Sequence, residues 1–125
     1  MRASIFVLLA TVGVLAASPA RAHHSFAVYD MKQNVEFKGV VDTLKFRNPH
    51  TALTLIVTKP DGTRETVDFV ETAPANMLVR MGLTPEMVAP GKAITAIGAP
   101  RYDNPSALFL KAVVLDDGTR FQIMN

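Results

Sequence analysis

Apolar and polar positions alternate along most of the chain after residue 34, and the period changes once. Val35, Phe37 and Gly39 alternate with Glu36, Lys38 and Val40, and apolar residues continue at Val41, Leu44 and Phe46. This pattern predicts a long first strand over Val35–Arg47. Gly39 in its middle predicts a bend or bulge, because glycine tolerates the backbone angles such a feature needs. Asn48-Pro49 breaks the ladder with a turn. Thr51–Thr58, rich in β-branched residues and Leu, predicts a second strand. The turn Pro60-Asp61-Gly62 leads into a third, Thr63–Val70, in which Val67 and Phe69 share a face.

The period then becomes helical. Met77, Leu78 and Met81 predict a helix over Ala73–Met81, with Thr72 as N-cap and Pro74 in the first turn. Gly82 is a natural stop just past its end, with Leu83 as the accompanying apolar contact. Thr84-Pro85 opens one more short turn and Pro90-Gly91 ends it. Strands follow at Lys92–Gly98 and Ala107–Leu115, separated by a polar loop over Pro100–Ser106, and Asp116-Asp117-Gly118 turns into a short return strand, Arg120–Ile123. Three strands, one helix and two strands, the first long and bent at glycine, is the order of the OB fold, a five-stranded Greek-key barrel with a helix between strands three and four. Closure suits so short a chain because it removes exposed strand edges. A small open sandwich or an α+β roll is the competing architecture. No repeat, linker or low-complexity tract divides residues 35–125.

The start of the chain has a different character. Arg2 precedes an apolar stretch of about 13 residues, Ile5–Ala17, and Ala20-Arg21-Ala22 is an A-x-A cleavage site. The stretch is shorter than the roughly 20 residues that span a bilayer. Residues 1–22 therefore read as a signal peptide cut between Ala22 and His23, and residues 23–34 as an N-terminal arm. The expected product is a periplasmic or secreted protein with no membrane insertion. Processing also changes the charge. Of 13 Lys and Arg against 11 Asp and Glu, Arg2 and Arg21 lie in the leader with no acid, so the mature chain carries 11 of each. A neutral surface argues against nucleic acid as a partner, since phosphate binding needs an excess of Lys and Arg. The absence of Cys excludes disulfides, thiol chemistry and Cys-based zinc sites.

Several short motifs resemble a family of small exported bacterial proteins known as a domain of unknown function. They are His23-His24-Ser25-Phe26-Ala27 and Tyr29-Asp30 near the mature start, Val35-x-Phe37-x-Gly39-x-Val41, Asn48-Pro49-His50, Ala75-Asn76-x-Leu78, Pro90-Gly91-Lys92 and Asp117-Gly118-Thr119-Arg120. The likeness covers nearly the whole mature chain. Many members place Trp around the Asn-Pro-His segment; this chain has no Trp and has Phe46 there. The resemblance implies a fold and a compartment, not a reaction.

All three histidines, His23, His24 and His50, lie at the expected new terminus or in the loop between the first two strands. A free α-amine with the imidazoles of His23 and His50 would make a three-nitrogen set, which suits the tetragonal preference of Cu(II). The set is like the histidine brace of copper monooxygenases in ligand type only. His24 would instead chelate through its own imidazole, the intervening amide and the amine. A cut after Ala20 would leave Arg21-Ala22-His23, a square-planar site for Cu(II) or Ni(II). The leading expectation is thus a non-enzymatic protein holding copper, ahead of zinc or nickel, through His23, His24 and His50. The competing expectation is a metal-free module binding a peptide, glycan or small ligand at Phe46, Arg47, Asn48, Arg101, Tyr102 and Asn104, where two loops of an OB barrel face each other.

Other constellations carry bland readings. Met31, Met77, Met81, Met87 and Met124 would suit Cu(I), but Met77 and Met81 have the i,i+4 spacing of a helix face packed on a core. Glu65 and Glu71 share a face of the third strand opposite Asp68, as on a solvated barrel exterior. Ser25 beside two His on an arm builds no triad, and there is no glycine-rich phosphate loop. An enzyme, whether a copper-dependent oxidase or a hydrolase, has only the histidines in its favour.

Overall fold

The computed structural model describes residues 26–125; the expected leader, His23, His24 and Ser25 lie outside the described residues. The strands are β1 (Val35–Lys45), β2 (Ala52–Thr58), β3 (Arg64–Glu71), β4 (Ala93–Pro100), β5 (Ala107–Leu115) and β6 (Arg120–Gln122), with a single α-helix, α1 (Ala75–Arg80), between β3 and β4. The sheet runs β3-β2-β1-β4-β5-β6, and a further pairing of β3 with β5 closes β1 to β5 into a five-stranded barrel. That closing pair is parallel, Phe69 opposite Leu108; the other neighbours are antiparallel.

The length of β1 lets it serve two partners. Val35–Val40 pairs with β4, and Val40–Lys45 pairs with β2. Gly39 stands at the hand-over, but the bulge lies between Val41 and Thr43. What Gly39 supplies is closeness: a Cβ there would sit 2.5 Å from the Ile56 carbonyl oxygen. The expected bend residue is therefore a close-approach residue. The Pro60-Asp61-Gly62 turn forms as expected, with Gly62 at φ 83° and the Asp61 carboxylate accepting from the Thr63 amide and hydroxyl.

The inward faces of the strands meet in one core. Leu55, Phe69, Leu108, Val113 and Ala96 are wholly buried, and Val41, Leu53, Val67, Ile94 and Leu110 join them. Burying a side chain such as Phe69 contributes roughly 2–3 kcal/mol. Leu78 from α1, and Leu83 and Val88 beyond it, belong to the same cluster. The helix ends as the Gly82-Leu83 pattern predicts. The Leu83 amide donates to Leu78 O and the Gly82 amide to Val79 O, with Gly82 at φ 91°, which is the Schellman arrangement. Its start differs from expectation. Pro74 is the N-cap, and Thr72 is buried with its hydroxyl donating to Leu110 O at 2.7 Å, so it ties β3 to β5 instead of capping.

Residues 26–34 are docked on the barrel. A 3-10 turn, Phe26–Val28, leads to Tyr29, which is 3% exposed and packs with Ala99 and Phe109. Both Phe26 and Tyr29 meet the Phe109 ring edge-on, at 5.4 and 5.7 Å. The Asp30 amide donates to Pro100 O and the Tyr102 amide to Val28 O. Buried Lys111 ties this segment down from β5, its ammonium donating to Met31 O at 3.0 Å, while its own carbonyl accepts from Ile123 and Met124.

Candidate functional site

The polar groups converge where the β1–β2 loop, the end of β3 and the arm meet. The loop is held by the helix start: Ala75 N donates to Arg47 O, Asn76 N donates to the Asn48 side chain, and Thr51 N donates to Ala73 O. This fixes His50 beside Glu71, the last residue of β3. The His50 Nδ1 lies 3.2 Å from Thr72 O and 3.5 Å from Glu71 Oε1. A carbonyl oxygen only accepts, so Nδ1 carries the hydrogen of this bond, and Nε2 has no hydrogen-bond partner among the described residues. The imidazole is half exposed, whereas the Glu71 side chain is only 16% exposed.

Glu71 is shared. Its Oε2 accepts from the Tyr29 hydroxyl at 3.2 Å. Burial first, then the neighbouring Glu71 carboxylate, holds the Tyr29 phenol above its ordinary value of 10.0. The Arg101 guanidinium sits 5.9 Å from the centre of the Tyr29 ring and pulls the other way. Arg101 is itself clasped by Asp103 through two bonds, at 2.8 and 2.9 Å, which lower the Asp103 carboxyl and raise Arg101. A continuous polar line therefore runs from His50 through Glu71 and Tyr29 to Arg101 and Asp103.

Beside His50 opens a cavity of about 190 Å³. Its walls are apolar, from Phe26, Ala73, Pro74, Met77, Phe109, Ile123 and Met124, and His50 and Glu71 supply polar groups. Apolar walls with a few convergent polar groups are the lining of a binding site, here smaller than the roughly 300–1,000 Å³ of pockets for drug-sized ligands.

The residues singled out from sequence do not share one recess. Phe46 packs against the core. Arg47 is exposed and lines a separate cavity with Lys45, Thr54 and Asp68. The Asn48 side chain accepts from the helix start. Tyr102 is 70% exposed, and the Asn104 side chain accepts from the Ser106 amide. The His50 cavity includes none of Phe46, Arg47 or Tyr102. Glu71 and Tyr29 stand between the two loops instead. Both had a sequence signal. Glu65 and Glu71 flank Val67 and Phe69 on the inward face of β3, and Tyr29 is an aromatic residue three positions after Phe26 in a polar arm. Among the described residues, no group of three or more His, Cys, Asp or Glu side chains is placed to hold a metal, and no helix is long and apolar enough to cross a membrane.

A closed five-stranded β-barrel with one short helix, carrying a small apolar cavity edged by an imidazole and a carboxylate, defines the class of protein. The chain belongs to a family described as a family of unknown function (DUF6152), whose profile matches residues 12–118. No curated protein and no solved structure matches the chain.

Proposed function

We propose that this chain is an exported small binding protein that holds Cu(II) with the mature N-terminal amine, His23 and His24 together with His50. The reading takes the barrel as OB type, supported by its strand order and its parallel β3–β5 closure. It takes export as following from cleavage between Ala22 and His23, with the product in the periplasm or secreted. One observation carries it: Phe26 lines the same cavity as His50. Three residues of chain span at most about 10 Å, so the reading asks only that this length of chain bring a donor at position 23 to the cavity. His50 also has the form of a metal ligand. Its Nδ1–H donates to a carbonyl with the Glu71 carboxylate 3.5 Å away, and its Nε2 has no partner among the described residues, the arrangement that orients metal-bound histidines.

The test is a Cu(II) titration of the mature protein, followed by the visible d–d band. Acetylating the N-terminus and replacing His23 and His24 by Ala should abolish the band, and His50→Ala should shift its maximum. Unchanged spectra and affinity in all of these sink the proposal. A second reading draws on the apolar walls of the same cavity. A metal-free module would hold a small apolar ligand there with one hydrogen bond to His50, and its binding would survive EDTA.

A further inference from the structure

The spacing of Met77, Leu78 and Met81 predicts that all three fill the core. Leu78 and Met81 do pack there, but Met77 is 44% exposed. Met77 turns to the cavity that His50 edges, and Met124, just after β6, lines the same cavity. Two methionines and one histidine, from three separate elements, thus line one small apolar cavity.

We propose that this cavity is a binding site for monovalent copper, with Met77 Sδ, Met124 Sδ and His50 Nε2 as donors. The inference rests on the copper reading for the choice of metal, but its donors are the thioethers and not the terminal amine. Thioether sulfur is a soft ligand that selects Cu(I) over the hard divalent ions. Calcium and magnesium need several oxygen ligands. The carboxylate here is Glu71, already committed to His50 and Tyr29. It remains close enough to balance a single positive charge. A soft monovalent ion is also the metal that an apolar wall of Phe26, Phe109 and Ile123 tolerates best. Methionine side chains have three rotatable bonds, so the two sulfurs can converge without moving the backbone. Met87 is a control within the molecule. It is 37% exposed, but it lines a different cavity with Lys92, Asp116 and Asp117.

The mature protein is titrated anaerobically with Cu(I) against bicinchoninate, and separately with Ag(I) as a redox-silent substitute. Met77→Leu with Met124→Leu, which keeps volume and apolarity, should weaken Cu(I) and Ag(I) binding by more than the roughly tenfold to hundredfold that losing an outer-shell partner costs. The melting temperature and the Cu(II) d–d band should not change. Met87→Leu should bind like the parent, and Ag(I) should move the ε-methyl resonances of Met77 and Met124 but not that of Met87. Parent-like Cu(I) affinity in the double variant, or an equal shift at Met87, overturns the inference. Either result leaves the Cu(II) titration to decide the amine site separately.

Discussion

Tyr29 shows how much one side chain in a polar segment can do. Its ring fills a slot against Ala99 and Phe109, and its hydroxyl reaches Glu71. At 3.2 Å this bond is long for a hydroxyl donating to a carboxylate, so Tyr29→Phe should cost only about 1 kcal/mol. The pH dependence is more telling. The folded phenol is held above 10.0, so the proton is bound more tightly in the folded state than in the unfolded chain. The stability this gives is complete below 10.0 and is lost as pH rises through the folded value. Thermal melts from about pH 9 to about pH 11.5 should therefore fall more steeply for the parent than for Tyr29→Phe. Parallel curves would show that neither burial nor Glu71 raises the phenol. Tyr29 is invisible to a reading by periodicity because its burial depends on Phe109, eighty residues further along the chain.

At the scale of elements, the turns and the helix end were legible because their chemistry is local. Gly62 and Gly82 both have positive φ, as their turn positions demand. The glycines inside strands were not legible, because their reason is a neighbour that the sequence does not name. Gly98 sits at the shift in register between β4 and β5, and a Cβ there would meet Phe109 O at 2.6 Å and the Phe69 ring at 2.9 Å. Gly98→Ala should cost about 3 kcal/mol or more, since backbone and a buried ring must both move. Gly62→Ala, with nothing within 4 Å and only an unfavourable φ, should cost about 1 kcal/mol. Urea midpoints rank the two, and similar midpoints would refute the steric argument. The same distinction explains the site. The loop residues Asn48 and Asn104 look like ligand contacts in sequence, yet both side chains satisfy backbone amides nearby. Glu71 looks like a solvated strand acid until the alternation is followed to the end of β3, where the inward row of Glu65, Val67, Phe69 and Glu71 leads into the cavity.

For the whole molecule, alternation and turn spacing were enough to anticipate a barrel with one helix, because β2 and β3 bury alternate residues and the ladder must close. They were not enough to place the arm. Charge belongs to this scale too. The full chain has a pI near 9.2 and a formal charge of +2, carried by the two Arg of residues 1–22. Cleavage after Ala22 should bring the product to focus near neutrality and to pass unretained through a cation exchanger at pH 7.5. A cut after Ala20 keeps Arg21 and one extra charge, which intact mass would reveal at once. Focusing near 9.2 would mean that the leader persists.

Phe26, Ile123 and Met124 all wall the His50 cavity, so the two extremities of the described chain open onto one spot. Any affinity handle fused after Asn125 would begin one residue beyond a wall of that cavity. A polyhistidine purification tail on either end would bring its own imidazoles to the copper assays and counterfeit the result, so only tagless protein with its authentic first residue can answer them.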